Sequence, residues 1–430
     1  MKKERLAIID GIRTPFCKSG GPLKEYQADH LAIHTLNHLL DKLSIERSLI
    51  DEVILGNVAQ PANAANISRV VSLKAGLSPS IPAYTVQRNC ASGMESISTA
   101  YNKIFSNQAE IIIAGGTESM SNIPFLFNNH MKEYLELFMR CKTAKQKVSH
   151  LLKFKLKFLK PVIGLLEGLT DPTCGLVMGL TAENLAKEFT INRQAQDEYA
   201  LKSHQKAVKA IKSKKFTEEI CPIPIKTNYK AFQETDDGPR EDQSIAALTK
   251  LRPYFDRKTG TVTVGNACPI TDGAAMTLVM KESKAKELKL KPLGFIKDYA
   301  YAGLQPERMG LGPVFATSKL LEKTNEKIQN IDLIEMNEAF AVQILANLKA
   351  FGSKSFAKEN LNKSEAVGEI DPKRVNVNGG AIALGHPVGT SGTRIVITLL
   401  KELQRQKKHK GIANICIGGG QGGAFLLERE

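Results

Sequence analysis

The chain has 430 residues, of which 42% are hydrophobic and 24% are charged, a composition typical of a folded globular protein with two or three domains. Its net charge of +15 favours an anionic partner, but it carries no nucleic-acid recognition motif and no tryptophan, so we expect no nucleic-acid binding. It contains no run of eighteen apolar residues, which argues against a membrane-spanning segment.

The cysteines and the first residues both indicate a reducing compartment. The seven cysteines are dispersed, without a close pair or a C-x-x-C motif, as is typical of reduced thiols rather than of disulfides or a metal site. Residues 1–5 lead at once into the apolar run 6–9, which is too short for a secretory signal. The sequence therefore predicts a cytoplasmic protein without a bound metal.

Strand-like and helix-like segments alternate over the first 120 residues. In chain order they are a strand at 6–9, a helix at 30–43, a strand at 53–55, a helix at 67–75, a strand at 83–86, a helix at 93–100 and a buried strand with a glycine turn at 111–119. This alternation predicts a layered α/β fold.

Residues 121–250 interrupt the alternation and are predicted to form an insertion. The stretch 131–160 holds nine Lys or Arg against two Glu, residues 181–214 have a helical pattern, and residues 226–242 are irregular and charged. Strand alternation is expected to return at 260–266.

The second half of the chain repeats features of the first. Residues 331–338 resemble residues 50–57, and residues 414–419 resemble residues 111–116. Such an echo predicts two duplicated halves with a site between them.

Cys90 lies where the strand at 83–86 gives way to the next helix. A thiol at a helix start faces unpaired N–H groups and the positive end of the helix dipole, which favours the nucleophilic thiolate. A small buried cysteine is the alternative interpretation.

Three further residues accompany glycine runs or strand ends. His386 lies in a loop of the glycine-rich stretch 376–394, where an imidazole could take a proton from a thiol. Cys416 closes a strand just before the glycines at 418–420, whose N–H groups could stabilise an oxyanion. Asn337 follows the strand at 333–336, where its amide could orient water, donate to an oxyanion or cap a helix.

Together these clusters resemble the thiolase family over essentially the whole chain. The matching stretches are N-C-A-S-G-M-E-S (89–96), G-G-T-E-S-M-S (115–121), M-G-L-T-A-E-N-L-A (178–186), G-T-V-T-V-G-N-A (260–267), N-E-A-F-A (337–341), G-G-A-I-A-L-G-H-P-V-G-T-S-G (379–392) and C-I-G-G-G-Q-G (416–422). The resemblance implies an α/β thiolase fold with duplicated halves in five αβαβα layers. The implied domains are an N-terminal half (1–120 plus 251–282), an inserted loop domain (121–250) and a C-terminal half (283–430).

The resemblance also implies catalytic roles. Cys90 would accept the acyl group, His386 would activate it and donate to an oxyanion, and Cys416 would be the acid/base at the substrate α-carbon. Asn337 would hold a catalytic water in one oxyanion hole, and the backbone N–H groups of Cys90 and Gly418 would form the other.

Coenzyme A would be a substrate, with no bound cofactor. Arg240 matches an arginine that contacts the CoA phosphate, and Cys268 stands where the family often has a serine near the CoA amide. Val177 stands where small-substrate biosynthetic members have histidine. The residues that match pantetheine or acyl contacts are Met178, Phe255, Met309, Ala339 and Phe340.

The implied reaction is cleavage of 3-ketoacyl-CoA in fatty-acid β-oxidation. One alternative is formation of acetoacetyl-CoA from acetyl-CoA, and another is a non-catalytic acyl-CoA-binding relative. A ketoacyl synthase would need a second histidine motif in place of Asn337 and Cys416, which this sequence lacks.

Residues 130–170 resemble those of the trifunctional-enzyme β-subunit and its bacterial fatty-acid-oxidation counterpart. Apolar side chains there have helical spacing (Leu151, Phe154, Phe158, Val162 and Leu165), with Lys153, Lys157 and Lys160 opposite. This pattern predicts an amphipathic basic helix, interrupted at Pro161, that contacts an anionic membrane or a β-oxidation partner subunit. A solvated helix that packs only on its own loop domain is the alternative. A homodimer or a dimer of dimers is also expected.

Overall fold

The computed structural model describes residues 4–226 and 228–430, and the side chains of 228–230 are left out of the description. The strands are β1 (Leu6–Arg13), β2 (Cys17–Lys18), β3 (Glu52–Gly56), β4 (Ala83–Val86), β5 (Ile111–Ser119), β6 (Phe125–Leu126), β7 (Val162–Ile163), β8 (Ile223–Ile225), β9 (Asn228–Gln233), β10 (Thr271–Lys281), β11 (Gly294–Gly303), β12 (Leu333–Met336), β13 (Lys410–Ile417) and β14 (Gln421–Glu428). The α-helices are α1 (Ala28–Leu43), α2 (Ile67–Lys74), α3 (Ser92–Phe105), α4 (Asn129–Met139), α5 (Ala144–Leu151), α6 (Gly164–Gly168), α7 (Met178–Glu188), α8 (Arg193–Lys212), α9 (Ile245–Thr249), α10 (Glu282–Glu287), α11 (Gly312–Thr324), α12 (Ala341–Gly352), α13 (Lys354–Leu361), α14 (Ala381–Leu384) and α15 (Val388–Gln406).

Two equivalent half-sheets form the centre of the molecule. The first has the order β4-β3-β5-β10-β1 and the second the order β12-β13-β14-β11. Strands β3 and β5 pair in parallel, as do β12 and β13, so the two echoing sequence segments occupy equivalent places. The half-sheets are joined where residues 6–8 of β1 pair with β11.

Apolar faces divide the fold into five layers. One core cluster packs α1 and α2 on the outside of the first half-sheet, and another packs α11 and α12 on the outside of the second. A third cluster encloses α3 and α15 between the half-sheets. Nearly every residue of α15 from Gly389 to Leu403 is buried, as expected of a helix covered on all sides. The predicted αβαβα thiolase fold is therefore confirmed.

The first half-sheet is completed from a distant part of the sequence. Strand β10 follows the 121–250 segment, yet it pairs with β1 on one side and β5 on the other. The boundaries 1–120 plus 251–282, 121–250 and 283–430 stay a prediction.

The strand alternation expected at 260–266 is wrong, because these residues form a loop that precedes β10. The buried Glu183 carboxylate accepts hydrogen bonds from the backbone N–H groups of Thr261 and Val262, and Asn266 accepts one from Thr263. Side chains thus satisfy backbone donors that a strand would give to a neighbouring strand.

The segment 181–214, predicted as helical, forms two helices, α7 and α8, and Asn192 caps the start of α8.

The amphipathic helix expected to extend from residue 151 is wrong, because α5 ends at Leu151. The chain then folds back, and the rings of Phe154 and Phe158 each lie 5.5 Å from the Tyr134 ring. Packing of these aromatic rings against Tyr134 is therefore favoured over a continuous helix.

Among the described residues, no helix combines the length and the hydropathy needed to cross a membrane.

Candidate active site

Cys90 lies in a tight turn between β4 and α3. The turn is held by Ser92, whose hydroxyl accepts a hydrogen bond from the Arg88 N–H and donates one to the Asn89 carbonyl. Asn89 has a left-handed conformation, with φ 44°, and its amide donates to the Gly418 carbonyl at 2.8 Å. The turn that carries Cys90 is thereby fixed to the glycine loop that follows β13.

Two backbone N–H groups face the Cys90 sulfur. They belong to Gly418 and to Cys90 itself, and both lower the pKa of the thiol. Burial has the larger and opposite effect, so the pKa of Cys90 lies above its ordinary value. These N–H groups favour the thiolate, as predicted, but burial outweighs them, so the thiol needs a base.

His386 is the buried imidazole in the loop between α14 and α15. Its Nδ1 lies 2.5 Å from the Ser391 hydroxyl, which already donates to the Pro387 carbonyl at 3.0 Å. We assign the His386 proton to Nδ1 from this pattern: a Ser391 hydroxyl that donates to Pro387 has only its oxygen left to accept from Nδ1–H, and the lone pair is then on Nε2. Burial and the nearby Arg394 lower the pKa of His386 to about 3, so the resting imidazole is neutral.

Glycines let the start of α15, and so His386, approach the start of α3. A Cβ atom added at Gly116 would collide with the carbonyl oxygen of Gly389, and one added at Gly93 would lie 2.6 Å from the Thr393 hydroxyl. The glycines thus permit a helix-to-helix and helix-to-strand approach that side chains would prevent.

Asn337 follows β12 and contacts His386. Its amide Nδ2 lies 3.5 Å from His386 Nε2, and its backbone N–H donates to the Asn414 carbonyl at 3.0 Å. The alternative interpretation of Asn337 as a helix cap is not met, because α12 begins at Ala341 with Phe340 as its capping residue.

Three thiols share the site. Cys416, near the end of β13, is buried, and its pKa is raised first by burial and then by the neighbouring Cys90 and Cys268. Burial and Cys90 also raise the pKa of the half-buried Cys268 to about 12. The Cys268 backbone N–H donates to the Ala339 carbonyl at 3.0 Å, which joins its loop to the Asn337 loop.

The core cluster that contains Cys416 also includes or contacts all five side chains expected to contact pantetheine or acyl groups. These five, called the apolar wall below, are Met178, Phe255, Met309, Ala339 and Phe340. Arg240 lies elsewhere, because its side chain is 57% exposed and lies 3.5 Å from Asp242. An exposed position is where a CoA phosphate would be met, so the role of Arg240 stays a prediction.

Some residues of the site were missed by the sequence analysis. The buried Glu118 carboxylate accepts hydrogen bonds from the N–H groups of Val58, Ala59 and Gly389. Ser391 contacts His386, and Arg394 contacts Asn337. The available signal was a charged residue inside otherwise apolar or glycine-rich elements, which costs free energy unless a partner is present.

Comparisons with known proteins find thiolases along almost the whole chain. Family models for "Thiolase, N-terminal domain" and "Thiolase, C-terminal domain" match residues 6–283 and 290–429. Relatives named 3-ketoacyl-CoA thiolase from Photobacterium profundum and Shewanella piezotolerans are each 38% identical, over 99% of this chain and 97% of the relative. The human mitochondrial 3-ketoacyl-CoA thiolase in complex with CoA superposes with a TM-score of 0.85 at 34% identity, over 99% of this chain and 98% of that one. The Bacillus anthracis acetyl-CoA acetyltransferase superposes with a TM-score of 0.87 at 37% identity, with the same coverage.

Proposed function

The chain belongs to the thiolase family, and from that premise we propose that it cleaves 3-ketoacyl-CoA into acetyl-CoA and a shortened acyl-CoA. The observation that carries the proposal is the cluster of the Cys90 and Cys416 thiols, with two N–H donors at the Cys90 sulfur. The neutral imidazole of His386 lies just before the start of α15, which packs against the start of α3 beside Cys90.

The first half of the reaction breaks the carbon–carbon bond. His386 Nε2 takes the proton of Cys90, and the thiolate attacks C3 of the 3-ketoacyl group. The C2–C3 bond then breaks, which leaves the acyl group on Cys90 and the electron pair on an acetyl-CoA enolate. The Cys416 thiol protonates C2 of the enolate, and its raised pKa keeps that proton in place until then.

The second half transfers the acyl group. The Cys416 thiolate takes the proton of the CoA thiol, and the CoA sulfur attacks the acyl thioester on Cys90. Acyl-CoA leaves, and the imidazolium of His386 returns its proton to Cys90. A thioester suits both steps because it keeps the acyl group activated for transfer.

Each half places a developing oxyanion beside different donors. The N–H groups of Cys90 and Gly418 would receive the oxygen of the acyl group bound to Cys90. Asn337 and His386, whose side-chain nitrogens lie 3.5 Å apart, would act with a water on the enolate oxygen. Arg240, Cys268 and the apolar wall would contact CoA and the acyl chain.

Mass spectrometry of the protein after incubation with acetyl-CoA tests the proposal. We expect the acetyl thioester on Cys90, and label on Cys268 or Cys416 alone would contradict the assignment.

The Cys416→Ala variant should still become acylated on Cys90, but its thiolysis rate should fall about 10²–10⁴-fold, because the substitution removes only the acid/base. Near-normal thiolysis in that variant would exclude Cys416 from proton transfer.

The second candidate function is condensation of two acetyl-CoA molecules, which the similarity to an acetyl-CoA acetyltransferase favours. The same side chains would catalyse it in reverse. Thiolysis rates for acetoacetyl-CoA and 3-ketohexadecanoyl-CoA distinguish the two. A faster long-chain reaction would support the degradative role in β-oxidation that the relatives' names favour.

We also propose that a basic surface, residues 125–160, docks on an anionic membrane. It combines the nine cations of residues 131–160 with apolar side chains held out in solvent. Leu152 and Leu156 are 83% and 81% exposed, and the other exposed apolar residues include Phe125, Phe127, Leu137, Met139, Val148 and Leu159. Lysines around exposed apolar side chains fit an interface between lipid headgroups and acyl chains.

An open edge of the main sheet suggests how copies of the chain could assemble. Strand β4 (Ala83–Val86) is half-buried at one edge of the main sheet, where pairing with a second copy would satisfy it. A homodimer or dimer of dimers, a β-oxidation partner subunit and a cytoplasmic location remain predictions from the sequence.

A further inference from the structure

Arg394 is a fully buried arginine on α15, at one end of a chain of contacts that leads to His386. Its Nη1 donates to the Glu335 carboxylate at 2.5 Å, and its Nη2 lies 3.5 Å from the Asn337 side-chain oxygen. On the other side of that amide, Nδ2 lies 3.5 Å from His386 Nε2.

The polarity of these contacts is fixed by chemistry. A guanidinium group has only donors, so the group that faces Arg394 must be the oxygen of the Asn337 amide. The amide nitrogen must then face His386. An asparagine without such a neighbour could present either its oxygen or its nitrogen to the site.

The imidazole contact agrees independently. The Ser391 hydroxyl donates to the Pro387 carbonyl and so accepts from His386 Nδ1, which leaves the Nε2 lone pair toward Asn337. A lone pair accepts from an N–H donor and repels a carbonyl oxygen. Both ends of the chain therefore require the same orientation of the Asn337 amide.

We propose that Arg394 is a positioning residue that fixes the Asn337 amide with its NH₂ group toward the reacting oxygen, and that Glu335 holds the guanidinium for this purpose. The proposal rests on the function proposed above.

The alternative is that Arg394 and Glu335 form an ion pair that only stabilises the fold. Buried ion pairs seldom stabilise more than apolar side chains of the same size, because desolvation offsets their attraction. This pair is also incompletely satisfied, since Arg394 Nε has no hydrogen-bond partner among the described residues. A charge buried between a strand and a helix at this cost is better explained by orientation of the amide.

The two half-reactions separate these explanations. Asn337 serves the enolate oxygen during carbon–carbon cleavage, whereas acyl transfer to and from Cys90 relies on the N–H groups of Cys90 and Gly418. Loss of the amide orientation should slow cleavage and spare acyl transfer. Loss of folded protein would lower both rates equally.

The test is Arg394→Lys, which keeps the counter-charge for Glu335 but cannot reach both partners with one compact ammonium. Acyl transfer is followed as exchange of isotope-labelled CoA into acetyl-CoA, and cleavage as thiolysis of acetoacetyl-CoA. We expect exchange to stay within about threefold of wild type and kcat for thiolysis to fall about 10²-fold, the usual effect of one lost oxyanion donor.

Arg13→Lys is the matched control. Arg13 is equally buried and pairs with Glu219 and Asp236, but the structure gives it no contact with Asn337 or His386. Its replacement should lower exchange and thiolysis together, in proportion to the folded fraction.

A Glu335→Gln/Arg394→Met double variant gives a second measurement if Arg394→Lys does not fold. It removes both buried charges at once, which usually costs little stability, and it should show the same selective loss of thiolysis. Parallel loss of both half-reactions in these variants, or unchanged thiolysis, would overturn the positioning role. Absence of thiolysis in the wild-type protein would instead contradict the proposed function.

Discussion

Two opposing influences act on the Cys90 thiol. The N–H groups of Gly418 and Cys90 favour the thiolate, while burial and the carboxyl of Glu118 disfavour it, and burial is the largest of these effects. His386 is neutral for a similar reason, since burial disfavours its charged form. Both groups are therefore neutral at rest, and in the mechanism proposed above the proton moves from thiol to imidazole as substrate is attacked.

This pairing predicts how Cys90 alkylation depends on pH. Because burial raises the pKa of Cys90 above its ordinary 9.0, the thiolate fraction should still be rising at pH 9, and the iodoacetamide rate with it. We would measure the rate on the Cys90 peptide from pH 5 to pH 10, with glutathione as the reference thiol. A preformed thiolate–imidazolium pair would instead give a high, constant rate from mildly acidic pH upward.

The candidate site residues could be proposed from the sequence because local patterns mark them. Asn337 and Cys416 lie at strand ends, Cys90 lies between a strand and a helix, and His386 lies in a glycine run. Arg394 and Glu335 were not predictable in this way, because they lie 59 positions apart and meet only when α15 packs between the half-sheets.

At the scale of elements, close approach of α15 to its neighbours brings the site together. The start of α15 is held by the Glu118 carboxylate, which accepts the Gly389 N–H at 2.9 Å, and by the Thr393 hydroxyl, which donates to the Gly93 carbonyl. Glycines at the crossing leave no side chain between the backbones.

Gly116→Ala should therefore impair both stability and activity. The new methyl group would collide with the Gly389 carbonyl and displace the start of α15 together with His386. Overpacking of this kind costs roughly 1–3 kcal/mol of unfolding free energy. Urea unfolding and thiolysis of the same preparation would measure the two effects.

Gly168→Ala is the matched control for that change. Gly168 ends α6, and a Cβ atom added there would meet no other atom within 4 Å. We expect unchanged activity and equal or slightly higher stability. If both alanine variants behave alike, the close approach at Gly116 is not required.

Strands with continuous apolar runs were predicted within a few residues, because each is buried on both faces. The prediction for β5, for example, covers 111–119, as does the observed Ile111–Ser119, although the glycine turn expected within it is continuous strand. The 151–165 helix was wrong because spacing alone gives no weight to the aromatic contacts with Tyr134, a ring from an earlier helix.

At the scale of the whole molecule, charge and exposed apolar area coincide on one surface. The basic surface carries +7 from residues 131–160, of the +15 for the chain. Its strand β6 forms a small separate sheet with β7, whereas Cys416 lies on β13 of the main sheet. Chemistry and docking are thus carried by separate parts of the fold, so each can be changed alone.

Co-sedimentation with vesicles tests the docking. Wild-type protein should bind vesicles that contain anionic phospholipid and ignore neutral ones, and binding should fall as salt rises, because each surface Lys or Arg contributes roughly 1 kcal/mol near an anionic bilayer. The exposed lysines Lys153, Lys157 and Lys160 would be changed to Glu together, which should abolish binding while thiolysis stays normal.

A second triple variant makes this result specific to the surface. Lys24, Lys327 and Lys358 are exposed lysines outside residues 125–160, and changing them to Glu alters the net charge by the same amount. If the basic surface binds through its own geometry, this variant should sediment nearly like wild type. Equal loss of binding in both triple variants would mean that net charge alone attracts the protein to lipid.

If wild-type protein does not bind anionic vesicles even at low salt, the membrane proposal fails. The exposed leucines of this surface must then either contact a protein partner or pack only within their own loop.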